Sequence, residues 1–313
     1  MEDSLIVNKN YQMLGYLADR GQIANMIEVC SGLWDELLDA PYERDWFRFL
    51  RIELRRLRSA LALLGPLLPE EGTLWLEQLK LFSKQLGAVR EYDVALQACT
   101  KYETYVLEAL STNPEGAGEL LTELPRLKAM ILAHRDAKAA AFNASVSAGC
   151  IAQEMGLCID MLKEPVELSI EDEAKANAFL QSSLQIWGLK LGNKVQNLEK
   201  LKTIEQLHKL RIKLKRFRYA YEVYMAKAAD EALMASLKEM QDLLGSLHDS
   251  DRNIEIIDEL AATVAMDEEL AREIVCFKAW RKVKVEQRIA QLPDVQHRVL
   301  TSMNQTIVGV ELL

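Results

Sequence analysis

Between Leu207 and Tyr221 the apolar residues Leu207, Leu210, Leu214, Phe217 and Tyr221 return every three or four positions, the period of one helix face. Leu50, Leu54, Leu57 and Leu61 repeat that spacing near the N-terminus. The same reading along the chain predicts one or two helices over about 10–38, interrupted at Arg20-Gly21, and another over about 42–64 that Gly65-Pro66 and Pro69 stop. Helices are further predicted over about 74–86, 92–110 and 120–148, with Ser111 to Gly116 as a break. The later part reads as helices over about 170–191, 203–226, 230–247, 252–265 and 268–289, closed by Pro293. No stretch supplies the alternating pattern of a β-barrel, and proline and glycine are few, so the expected fold is all-α. The predicted division is a first helical half over 1–150, a connector over 151–169, a second half over 170–295 and an uninformative tail over 296–313.

Beside each of the two apolar faces runs a row of cations. At about 100° per residue, His208, Arg211, Lys215 and Arg218 fall in one stripe. Arg48, Arg51, Arg55 and Arg58 lie at the same relative positions on the earlier segment. A second paired segment follows each copy, Leu86-Gly87-Ala88-Val89-Arg90-Glu91-Tyr92-Asp93 and Leu244-Gly245-Ser246-Leu247-His248-Asp249-Ser250-Asp251. Two matching pairs, about 160 residues apart, point to a duplication. One such row is usually a solvated helix face; two in matching phase are better explained by a shared ligand. Two halves related by a pseudo-twofold would bring the stripes face to face across a basic groove, where arginine forks could hold phosphate oxygens bidentately. Lys84, Arg90, Lys190, Lys194, His248 and Lys282 are further candidates for its walls.

At these residues the sequence resembles the CHAD domain, the conserved histidine α-helical domain. That family's pattern is a histidine, an arginine three positions on and a basic cluster ending in Arg-x-Arg. A Leu-Gly-x-x-basic-Asp/Glu-x-Asp segment follows, all in two copies. His208, Arg211, Lys215, Arg216 and Arg218 match the first motif, and Leu244, Gly245, His248, Asp249 and Asp251 the second. The first copy departs from the pattern by having Arg48 in the histidine's place. Over about residues 20 to 292, the resemblance implies an all-α domain of two pseudo-symmetric bundles that binds inorganic polyphosphate in a basic groove, without catalysis. It also leaves polyphosphate granules open as a location.

Composition changes this picture little. The 313 residues carry a formal charge of −9, which argues against non-specific coating of nucleic acid or anionic membrane but not against a local basic site. Cys30, Cys99, Cys150, Cys158 and Cys276 are odd in number and scattered, as expected of small buried residues in a reducing compartment. The acidic Met1-Glu2-Asp3-Ser4 start is unlike a secretory signal, and no apolar run reaches the roughly 18 residues of a membrane span, so the expected location is the cytoplasm.

Several chemistries compete with anion binding. As phosphate donors His208 and His248 would act protonated; as structural residues they would hydrogen-bond within the bundle. His248-Asp249 resembles the dipeptide of metal-dependent phosphohydrolases, but no further spaced ligands accompany it, so neither a metal nor a cofactor is expected. Asp93 and Asp251 suit orienting the basic groups or capping a following helix. Glu171-Asp172-Glu173-Ala174-Lys175 fits the Glu-x-Glu-x-Lys signature of triphosphate tunnel enzymes, yet after Ser169 it reads as the acidic first turn of a helix. Three functions remain in view. They are a polyphosphate-binding module, a helical protein gripping an acidic partner, and a phosphohydrolase. Single-stranded nucleic acid is a poorer fit, because the aromatics near the stripes fall on the apolar side.

Overall fold

The computed structural model describes residues 2–39, 44–68, 70–112, 120–145, 167–225 and 230–308. The connector predicted at 151–169 therefore lies mostly outside the described residues. Ten α-helices, and no strand, are found among them. In chain order they are α1 (Glu2–Arg20), α2 (Ile23–Asp39), α3 (Arg44–Leu63), α4 (Glu70–Thr112), α5 (Pro125–Ser145), α6 (Ile170–Gln196), α7 (Ile204–Met225), α8 (Glu231–Ala261), α9 (Glu268–Ala290) and α10 (Leu292–Met303).

Local signals set many of these ends. Gly65-Pro66 turns the end of α3 into a short 3-10 segment, Gly65–Leu67. The Ser169 hydroxyl accepts the Asp172 N–H at 3.2 Å and caps α6, so the Glu-x-Glu-x-Lys segment is an acidic helical turn, with Lys175 on Glu171 at 2.6 Å. Asp230 and Asp267 cap α8 and α9 by accepting the N–H groups of Leu233 and Leu270.

Three expectations need correcting. The helices predicted at 74–86 and 92–110 are one, α4, and those at 230–247 and 252–265 are one, α8. Both Leu-Gly segments thus sit inside long helices, since one glycine costs a helix only about 1 kcal/mol when packing holds both sides. Asp93 and Asp251 lie inside those helices too, so neither caps a following one. Finally, Pro293 begins a helix rather than closing the domain, as its missing N–H is harmless in a first turn. The tail it starts is structural. Val295, Val299, Met303 and Ile307 bury one face of it against α6 and α8. Ile307 comes so close to α6 that a Cβ on Gly188 would lie 2.6 Å from its Cδ1.

Two hydrophobic cores result. The larger joins α1, α2, α3, α6, α7 and α10 to the N-terminal parts of α4 and α8 and the C-terminal end of α5, and includes the fully buried Trp34, Phe47 and Phe217. The smaller joins the C-terminal parts of α4 and α8 to α5 and α9 around Tyr102 and Phe277. Each core draws on residues from both before and after the 151–169 stretch. The predicted apolar faces are where the burial lies: Leu50, Leu54, Leu57 and Leu61 on α3, and Leu207, Leu210, Leu214, Phe217 and Tyr221 on α7. Each such side chain contributes roughly 1.5–3 kcal/mol of burial. Because α3 packs on α7 and α4 on α8, the polar edges of four helices are held near one another. No helix among the described residues is long and apolar enough to cross a membrane.

Candidate anion site

Packing the apolar faces of α3 and α7 inward leaves their cations along the edge of the core, beside α4 and α8. A cavity of about 230 Å³ opens there. Arg48, Arg51 and Arg55 line it from α3, Arg90 from α4, Arg211 and Lys215 from α7, and His248 and Arg252 from α8. Two carboxylates, Glu91 and Asp249, also reach it, with Ile52, Val94 and Asn253 completing the wall.

The glycines of the two Leu-Gly segments explain how the guanidiniums fit. A Cβ on Gly245 would lie 3.3 Å from Nε of Arg211, and one on Gly87 would lie 3.7 Å from Nη2 of Arg51. In each case a long helix gives up a side chain where an arginine of the neighbouring basic helix lies against it. The backbone there is ordinary helix, so at Gly245 the reason for glycine is space, whereas at Gly87 a methyl would meet Arg51 at ordinary contact distance.

The cations differ in their partners. Arg252 donates to Glu91 at 2.9 Å and to Glu255 and Glu259 at 3.0 Å each. Burial alone would lower its pKa, but those hydrogen bonds outweigh burial and hold it above the ordinary value. Arg211 approaches Asp249 only loosely, at 3.8 Å, and burial depresses its pKa. Arg90 lies 3.7 Å from Asp93, whose other oxygen accepts Nε of Arg135 at 3.1 Å, so Asp93 does orient basic groups. Among the described residues no carboxylate pairs with Arg51, Arg55 or Lys215. Burial, then the neighbouring Arg55 and Arg90, push Arg51 down to about 10. Burial, then Arg55 and Arg211, push Lys215 down to about 6. Such a cluster is costly without a counter-charge. An incoming oxyanion would supply that charge and several acceptors at once.

The histidines stack, with ring centroids 3.9 Å apart. Burial lowers both, His248 to about 4 with His208 and Arg211 adding to the effect, and His208 below its usual value. Burial thus disfavours protonation of both rings in the free protein, against the reading of them as protonated phosphate donors, and only His248 lies on the cavity wall.

The other sequence candidates stand elsewhere. Arg58 is half-buried beside Arg55 and Arg216, outside the lining. Arg216 rests 4.3 Å from the centre of the Trp187 ring. Arg218 is engaged with Gln241 at 3.0 Å and Glu222 at 3.2 Å. Lys84, Lys190, Lys194 and Lys282 are exposed and line neither this cavity nor its neighbour. Sequence reasoning missed Arg252, although it directly follows Asp251 of the second motif.

Two solved structures share this architecture. One is the crystal structure of the CHAD domain from the plant Ricinus communis, at 20% identity and a TM-score of 0.65, covering 92% of this chain and 91% of that one. The other is PptA from Streptomyces chartreusis, at 16% identity and a TM-score of 0.61, covering 92% and 99% respectively. A search of the curated proteins found no match. Residues 39–258, which hold both basic helices and both Leu-Gly segments, match the CHAD domain, and the chain belongs to that family.

Proposed function

We propose that this chain binds inorganic polyphosphate, without catalysis, in the cavity between α3, α4, α7 and α8. The observation that carries the reading is the set of largely buried basic groups, Arg51, Arg55 and Lys215, that converge on one cavity with no carboxylate paired to them among the described residues, Lys215 needing only an anion to be protonated. A linear chain of phosphates offers repeated charge and acceptors without base or sugar, and the cavity wall holds no aromatic platform for a base. Membership of the CHAD family supports the same ligand. In this reading the two basic helices descend from a duplication, residues 1–150 and 170–295 form its halves, and the cavity is the groove between their stripes. The matched glycine–arginine contacts of Gly87 with Arg51 and Gly245 with Arg211 favour that relation. The expected setting is the cytoplasm, on or off polyphosphate granules.

The test is a binding titration with polyphosphates of several lengths at two salt concentrations, on the wild type and on an Arg51→Glu, Arg211→Glu double variant. The wild type should bind, and lose about tenfold or more in affinity from low to moderate salt because several phosphates are neutralised at once. The double variant should not bind at low salt. Equal binding by both proteins would remove the cavity as the site, and preference for one folded acidic protein over phosphate chains would favour a protein partner.

A further inference from the structure

The first cavity does not end at α7. A second one, about 380 Å³, shares Arg90, Val94, Arg211, Lys215 and Asp249 with it and continues along α4 and α8 to α9. Its added cations are Lys101 of α4 and Arg281 and Arg288 of α9; its added carboxylate is Asp242. Arg281 is the telling residue. It is 7% exposed, and its Nε has no hydrogen-bond partner among the described residues. A guanidinium buried to that extent ordinarily has an acceptor at each N–H. Arg288, two turns further and so about 10.5 Å along the helix axis, stands where α9 meets solvent and donates to Gln291 at 3.0 Å.

We propose that the site is two-lobed: a phosphate chain held at Arg51 and Arg55 passes Arg90, Arg211 and Lys215 into the second lobe, where Arg281 and Arg288 take its further phosphates. This rests on the polyphosphate reading and adds to it a means of length selection. A short chain satisfies the first lobe alone, while a long one also reaches the Arg281 guanidinium on the wall of the second. Asp242 and Asp249 border the passage and leave it cationic on balance, since Arg90, Lys101, Arg211, Arg281 and Arg288 face them even before Lys215 is protonated. Burial, opposed by Asp249, lowers Arg281 to about 10, which still leaves it charged at neutral pH.

The experiment compares tripolyphosphate with long-chain polyphosphate on the full chain, using Arg288→Gln and an Arg281→Gln, Arg288→Gln double variant. Affinity is expressed per chain, and helicity and melting are recorded for each protein. The wild type should prefer the long chain, and the ratio of long- to short-chain affinity should fall about tenfold in the double variant. Arg288→Gln, whose side chain is exposed, should show part of that fall in a protein that melts like the wild type. An unchanged ratio in both variants would overturn the second lobe while leaving polyphosphate binding intact. A wild type that binds neither chain would overturn both readings.

Discussion

Two regions of this molecule bury arginines, and they treat the charge in opposite ways. Where α4 meets α5, Arg135 is 2% exposed and donates to Asp93, itself fully buried. Close by, Glu273 of α9 accepts the N–H groups of Arg126 and Leu127 and so caps α5. On the α3–α7 side, Arg51, Arg55 and Lys215 crowd together with no such partner among the described residues. The first arrangement completes the fold from within. The second costs the free protein stability that a bound anion would return, which distinguishes a ligand site from a structural ion pair more sharply than the number of cations does. Arg252 shows the contrast inside a single cavity, since three glutamates already satisfy it.

The largest expected effect comes from breaking the internally paired region. Asp93→Ala removes the fully buried carboxylate that faces both Arg135 and Arg90 and leaves Arg135 its exposed neighbour Asp136, and should lower the free energy of unfolding by about 3 kcal/mol, measurable in urea. Next is the reverse experiment on the other region. Lys215→Met removes a buried amine that is mostly neutral at pH 7 in the free protein, so the free protein should be as stable as the wild type or more so, while polyphosphate affinity falls about tenfold because the anion can no longer draw a proton onto it. A clear loss of stability in the free Lys215→Met protein would contradict the proposed frustration.

The pH dependence sharpens the comparison further. Lys215 is lowered in the folded state to about 6 from an ordinary 10.5, so between those values the unfolded chain binds one more proton than the folded one. Unfolding free energy should therefore rise with pH across that window, at up to about 1.4 kcal/mol per unit. A bound anion favours the protonated lysine, so binding at pH 8 should take up a proton and weaken as pH rises. Calorimetry in buffers of differing ionisation enthalpy would show the uptake, and Lys215→Met should abolish it whereas His248→Gln should not. With His248 held near 4 and His208 also lowered, the histidines give no such uptake at pH 8.

The smallest effect concerns the two glycines. At Gly87 an added methyl meets Arg51 at ordinary contact distance, so Gly87→Ala should gain helix propensity, about 0.5–1 kcal/mol in melting experiments. At Gly245 the same change presses on Arg211, and the gain should shrink or reverse with some loss of anion affinity.

The apolar faces of α3 and α7 and the all-α architecture were legible in the sequence because they depend on helix periodicity, which packing here did not override. The charge pairing was not legible, as it depends on which helices meet: nothing in the sequence sets Asp93 against Arg135 across 42 positions or leaves Lys215 without a partner. The far side of the cavity was missed for a narrower reason. Reading α4 as two helices cut the stripe of Arg90, Val94, Gln97 and Lys101 that a single helix carries along one face, and with it the signal leading to Arg281 and Arg288. The tail misled in the same way, since Val295, Val299 and Met303 have helical spacing that Pro293 was taken to terminate.

Urea unfolding with and without long-chain polyphosphate, on the wild type and an Arg51→Gln, Arg211→Gln variant, tests the central claim most directly. The ligand should raise the wild-type midpoint, and the free variant should be at least as stable as the free wild type and gain nothing from polyphosphate. A variant that is less stable when free, yet gains from polyphosphate as much as the wild type does, would contradict it.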